Sequence, residues 1–406
     1  MATEECVRVS RLATFKNIVR LIPALVLMAA TLDTVSCKNS GGLFPLATNS
    51  GSPTATATTG TGALAYVTNF NDAKVSSFTR NITTGVLTLT GTITAGKTKG
   101  PKGLVPAPSG SFLYVANNAD DNIYEFSINS TNATLTPLSP ASVSNGKNSG
   151  PDQIAINPAG TFAWVTGEND GSITTYTVNT STGQLTLGTK VTGLTSPFGI
   201  TVDPTGSFVY VADNGAGLVY SYSIGTNGAL TQIGSPVFDL GSAGGTPGFI
   251  AVDPSATFIY VTDLDAGVLS VLGTSSGTLS FAQIVPSTTT PNLPIGIAYA
   301  SVSTIGNFVF TANQDSSSLW AFLLTTPGFP SQPVEFGNGN LDAPTGLIVD
   351  PQNAFLYTTN QDAGTVSQFS LAATCFTPTF DPCFVGNVAT EKTGTSSGPF
   401  GITLAQ

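Results

Sequence analysis

Short apolar runs rich in Val, Ile, Tyr and Phe alternate along most of the chain with clusters of Gly, Pro, Asn and Asp. Residues 197–231, PFGITVDPTGSFVYVADNGAGLVYSYSIGTNGALT, show one full unit of the pattern. Residues 200–202, 208–212 and 218–224 read as three strands, because β-branched and aromatic residues suit a pleated, buried surface. A fourth strand begins at Leu230. Asp203-Pro204-Thr205-Gly206, Asp213-Asn214-Gly215 and Thr226-Asn227-Gly228 separate them. Each supplies residues that tolerate positive φ or preset it near −65°, as tight turns require.

The unit recurs. The aromatic near the end of its second strand falls at Tyr66, Tyr114, Trp164, Tyr210, Tyr260, Phe310 and Tyr357. A period of about 50 residues with four strands per unit is the mark of propeller blades. The predicted fold class is therefore all-β, a seven-bladed β-propeller with four antiparallel strands per blade. The first-strand signal Pro-x-Gly-Ile, or a variant, starts at Pro101, Pro151, Pro197, Pro247, Pro294 and Pro344. The unit around Tyr66 has none, and the missing copy is Pro399-Phe400-Gly401-Ile402. The reading is that this C-terminal segment supplies the inner strand of blade 1 and closes the ring, leaving no open sheet edge.

Ahead of the repeats, Arg8, Arg11, Lys16 and Arg20 precede an apolar run over residues 21–32, too short to span a bilayer. Thr34-Val35-Ser36-Cys37 resembles a bacterial lipobox, with Thr where Leu is usual. Residues 1–36 are read as a signal peptide, and 37–62 as a lipidated Cys37 followed by a flexible Gly/Ser/Thr/Ala/Pro linker. Residues 63–406 form the propeller. The expected location is extracytoplasmic, as a membrane-anchored lipoprotein or a periplasmic or secreted protein. Cys375 and Cys383 flank a short loop in blade 7 and are expected to form a disulfide there.

Charge narrows the function. Only 9% of residues are charged and the formal net charge is −10, with no histidine. Basic residues are too few for a nucleic-acid surface. The missing histidine removes imidazole bases, Ser-His-Asp triads and His metal ligands. Beyond the signal segment, Arg80 is the sole arginine. The second strands end in a column of Asn69, Asn117, Gly167, Asp213, Asp263, Asn313 and Asn360, followed in most blades by an acidic residue. Asn and Asp suit such positions as turn caps. As a functional column they would suit a polyol or Ca²⁺, for which Asp263-Leu264-Asp265 is the nearest fragment. Asp152, Glu168 and Asp170 form the best acidic group for acid–base work, and Lys102 offers one cation near them.

Tyr-Val-Ala-Asn or Tyr-Val-Thr-Asn closing the second strand, with Asp-Pro-x-Gly before it, resembles the lactonase-type seven-bladed propellers. These include 6-phosphogluconolactonases, carboxymuconate-lactonizing enzymes and the YVTN-repeat surface-layer propellers. The resemblance covers residues 63–406 and implies the fold. It places Asp152 and Gln153, after Gly150-Pro151, where active members carry a basic pair.

Two functions are expected from these features. The first is a membrane-tethered binding module whose turn-rich face takes a surface polymer, a protein or a small polyol or lactone. Its ligand-binding candidates are Lys102, Asp152, Glu168, Asp213 and Asp263. The alternative is a lactone hydrolase that uses carboxylates in place of histidine, with Asp152, Glu168 and Asp170 as catalytic candidates. Neither needs a cofactor, and the expected state is a monomer that meets the membrane only through its lipid. A quinoprotein-like cofactor propeller is disfavoured for lack of cations and repeated Trp.

Overall fold

The computed structural model describes residues 64–238, 245–285, 293–303, 305–326, 328–337, 339–375, 382–390 and 397–405. The signal segment, Cys37 and the linker lie outside the described residues.

All described strands fall into seven antiparallel sheets. Blade 2 runs outward from Pro101–Pro106 through Phe112–Asn117 and Asn122–Ile128 to Leu135–Ser144. Blade 3 repeats this with Pro151–Ile156, Phe162–Gly167, Ser172–Val178 and Leu185–Thr192. In blades 4 and 6 the outer edge is broken into two short strands, Leu230–Gln232 with Val237–Phe238 and Phe329–Pro330 with Val334–Phe336. Pro236 and Pro333 lie in the breaks, where a residue without N–H cannot continue a ladder.

Closure is as expected. Pro399–Ala405 pairs with Leu64–Asn69, placing Ile402 opposite Val67 and Ala405 opposite Leu64. It packs between the inner strands of blade 7, Pro344–Val349, and blade 2, Pro101–Pro106. Blade 1 is completed by Lys74–Arg80 and Leu87–Thr94.

The second strands are buried along almost their whole length, because each lies inside its sheet and between two other blades. This is why they read as continuous apolar runs without alternation. Their aromatic column packs blades together. Tyr114 donates from its hydroxyl to the Gly183 carbonyl at 2.8 Å, Trp164 from Nε1 to Gly228 at 2.9 Å, and Tyr357 to Gly85 at 2.8 Å. Each acceptor is the outer turn of the next blade, so a ring fills the interface while its polar tip stays bonded. Gly85 sits at φ +74°, and a Cβ there would fall 2.3 Å from the Phe355 ring.

The inner strands carry the feature that shapes the site. Sequence reading starts the blade 4 strand at Ile200, but pairing begins at Pro197, opposite Asp213, and shifts register before Ile200 meets Val211. The same irregularity occurs in the other six blades. A bulge of this kind frees its residues from the ladder and re-aims their side chains. The freed pairs include Lys102-Gly103, Asp152-Gln153 and Phe198-Gly199.

The glycine at the third position lets neighbouring inner strands touch. A Cβ on Gly346 would fall 2.4 Å from the Phe400 carbonyl oxygen, and one on Gly103 would fall 2.6 Å from that of Asp152. Threonines of the second strands stitch the same seam. Thr68 accepts from Gly401 N at 2.8 Å within its blade and donates to the Lys102 carbonyl of the next at 2.7 Å. Thr166 links Gln153 N to the Phe198 carbonyl, and Thr359 links Gly346 N to the Phe400 carbonyl.

At the opposite end of the blade 7–blade 1 seam, Arg80 donates to Asp350 Oδ2 at 2.9 Å, with both side chains fully buried. Arg80 also donates to Gln352 Oε1 at 2.9 Å. The remaining Asp350 oxygen caps its own turn by accepting from the amides of Ala354 and Phe355. Arg80→Ala is expected to destabilise by about 3–5 kcal/mol, since it strands a buried carboxylate. Gly346→Ala is expected to destabilise by ~1–3 kcal/mol, since the obstructing atom is backbone. Urea unfolding of each variant measures both, and wild-type midpoints would show that the closure seam does not limit stability.

Candidate functional site

Three bulged inner strands bring their second residues together at one mouth of the ring. Lys102 of blade 2 places its ammonium against Asp152 Oδ2 of blade 3, and 2.9 Å from Glu168 Oε2. Glu168 follows the second strand of blade 3, Phe162–Gly167. Asn118, the matching residue of blade 2, donates from Nδ2 to Glu168 Oε2 at 3.2 Å. Gln153 donates from Nε2 to Asp152 Oδ1 at 3.2 Å. On the far side, the Lys102 ammonium lies 5.7 Å from the centre of the Phe198 ring in blade 4. Phe198 in turn meets Phe249 of blade 5 edge-on, with centroids 5.0 Å apart.

Exposure separates the roles. The Asp152 side chain is fully buried, that of Lys102 is 15% exposed and that of Glu168 is 32% exposed. Glu168 and Lys102 can meet a ligand, and Asp152 acts through Lys102. Burial pushes the Asp152 carboxyl up to about 6, with Lys102 opposing and Glu168 adding to the rise. Burial also works against Glu168 ionisation, but Lys102 and the Asn118 amide outweigh it and hold the carboxyl below its ordinary value. Burial alone would lower Lys102, yet the two carboxylates raise it above an ordinary lysine. At neutral pH the cluster is one cation between two anions, net −1. As pH falls through about 6, Asp152 takes a proton and the cluster becomes neutral.

The other candidates take no part in the Lys102 cluster. Asp170 pairs with Lys190 at 2.6 Å and accepts from Ser172 Oγ, apart from the Lys102 cluster. Asp213 is fully buried and accepts from Thr195 N and Ser196 N, both at 2.8 Å. Asp263 accepts from Ala266 N at 2.9 Å and Thr246 Oγ1 at 3.1 Å. Asp265 is exposed. Among the described residues, no three carboxylates or cysteines gather as metal ligands would. Cys375 and Cys383 are joined by a disulfide. Asn118, Phe198 and Phe249 were not singled out from the sequence. Phe198 nevertheless occupies the repeat position of Lys102 and Asp152, and Asn118 that of Glu168.

Fold and mouth together define a seven-bladed propeller with a lysine–carboxylate cluster set into its inner strands. The model of the lactonase family, a 7-bladed β-propeller, matches residues 52–202 and 196–377, and the chain belongs to that family. No curated protein matches it. A candidate 6-phosphogluconolactonase from Bacteroides fragilis is similar in structure, at 17% identity and TM-score 0.70, covering 86% of this chain and 99% of that one. A second, from Bacteroides uniformis, aligns at 15% identity and TM-score 0.71, covering 84% and 99%. A periplasmic gluconolactonase from Pseudomonas aeruginosa aligns at 15% identity and TM-score 0.67, covering 84% and 98%. At such identities the likeness speaks for the fold.

Because the folded Asp152 pKa exceeds its unfolded value, the folded state holds that proton more tightly. This contribution to stability is full below about pH 4 and is lost as pH rises through about 6. Carbon-detected NMR of the Asp152 carboxyl should show a midpoint near 6. In Lys102→Met the midpoint should move higher, since the ammonium is what restrains it. A midpoint that stayed put or fell would mean that Lys102 does not restrain Asp152.

Proposed function

We propose that this propeller hydrolyses an uncharged lactone at the mouth formed by blades 2 to 4. The observation that carries the reading is the pairing of a partly exposed carboxylate, Glu168, with a partly exposed cation, Lys102, on one small surface. Hydrolysis needs a base for water and positive charge for the developing oxyanion. Glu168 accepts a proton from water as the water oxygen attacks the lactone carbonyl carbon. The Lys102 ammonium faces the oxyanion. When the tetrahedral intermediate collapses, the ring C–O bond breaks and Glu168 returns the proton to the leaving alkoxide, giving a hydroxy acid. Asn118 orients Glu168, and buried Asp152 positions Lys102. A carboxylate of lowered pKa is a weak base, which suits a substrate already prone to hydrolysis, as strained lactones are.

Family membership supports lactone chemistry, and the structural neighbours described as gluconolactonases agree with it. A phosphorylated substrate fits poorly. The cluster is net −1 at neutral pH, and Arg80 is buried against Asp350 at the opposite end of its seam. Export as a lipoprotein through Cys37 belongs to the same proposal. A disulfide in blade 7 and the periplasmic neighbour support it. Fatty-acid labelling that Cys37→Ser abolishes is the expected result, and equal labelling of both proteins would count against it.

The activity test is purified protein with glucono-δ-lactone, simple δ-lactones and 6-phosphogluconolactone. Turnover of uncharged lactones, lost at least 100-fold in Glu168→Gln, is expected. The rate constant kcat/KM should rise as pH falls from about 7.5 to about 5.5. Protonated Asp152 leaves the cluster neutral and better able to hold an oxyanion, while Glu168 stays ionised. Uncatalysed hydrolysis by hydroxide runs the other way, so the two are separable. Asp152→Asn should flatten the rise. Binding of lactones without turnover would instead favour an interaction module.

A further inference from the structure

The mouth has two unlike halves. Blades 2 and 3 contribute Lys102, Asp152, Gln153, Glu168 and Asn118. Blades 4 and 5 contribute Phe198, Phe249 and Leu264, all partly exposed. The second half depends on a change of order in one repeat. Blade 5 reads Pro247-Gly248-Phe249-Ile250, so its glycine sits one place early and a phenyl group stands where five blades carry glycine. A Cβ on Gly248 would fall 2.5 Å from Leu264 Cδ2, so Leu264 covers the position that bears the side chain in other blades. Phe249 meets Phe198 edge-on, and Phe198 underlies the Lys102 ammonium. The apolar surface therefore begins where the cation ends.

Three amides border this surface: Asn118 serves Glu168, Gln153 serves Asp152, and Asn214 donates to the Pro247 carbonyl at 3.4 Å. A polyhydroxylated ring seated with its carbonyl at Lys102 would turn hydroxyls toward phenyl groups, which offer no hydrogen-bond acceptor of comparable strength. A hydrocarbon substituent in the same place would be desolvated against Phe198, Phe249 and Leu264.

We infer that the preferred substrates are lactones carrying an aliphatic substituent, and that Phe249 determines this specificity. The inference rests on the hydrolytic reading and adds the substrate class. Burying a methylene there should raise kcat/KM about fourfold. The experiment compares δ-valerolactone, δ-hexalactone, δ-octalactone, δ-decalactone and glucono-δ-lactone on the full-length protein. Expected is a rate that climbs with chain length, with glucono-δ-lactone below δ-octalactone. In Phe249→Ala the dependence on chain length should flatten, and in Phe249→Leu it should largely return, with thermal melts confirming that both variants fold. Turnover with no chain-length dependence, or a dependence indifferent to Phe249→Ala, overturns the inference and leaves hydrolysis standing. Absence of turnover for every lactone overturns both.

Discussion

The close backbone approach of seven inner strands is the constraint on which the rest of this molecule depends. At their bulges, adjacent strands come so near that glycine is the residue that fits in five of the seven, with Gly346 and Gly401 each facing a carbonyl of the next strand. Thr68, Thr166 and Thr359 convert that proximity into hydrogen bonds from blade to blade. Aromatic rings then fill the space farther out, and Arg80 with Asp350 pins the seam at which the chain's two halves of blade 1 meet blade 7.

The bulge that permits the approach also builds the site. It releases the second residue of each inner strand from the ladder, and in blades 2, 3 and 4 the side chains freed in this way meet one another, so that their chemistry is set by substitution at one repeat position. Lys102, Asp152 and Phe198 are its three successive occupants, on three different blades. Their mutual contacts need no special loop, only the fold's own repeat. The electrostatics follow from unequal burial around one ammonium. Asp152 is sealed and leans toward its neutral form, while Glu168 reaches solvent and stays ionised.

Much of this was legible in the chain. The period of the aromatic column, the Pro-x-Gly signals and the displaced copy at Pro399 specified seven blades and their closure, because strand and turn propensities are local and repeat. The Asn/Asp column read as turn caps, and Asp213 and Asn117 do hold backbone amides. The cluster was legible in part. Lys102, Asp152 and Glu168 stand out as charges in a chain that has few, but sequence position alone places Asp170 with them. Its carboxylate pairs with Lys190, a choice made by side-chain reach across blade 3 that sequence position does not encode.

Sequence by itself determined the fold, its closure, and the lack of imidazole chemistry. Each follows from composition or from patterns a few residues long. Tertiary structure alone decided which charges meet, which carboxyl is sealed from water, and that two phenyl rings complete the mouth. Those facts depend on distances between residues some 50 to 100 positions apart. Only the ring's packing, through bulges and glycines, brings them within a few ångströms of one another.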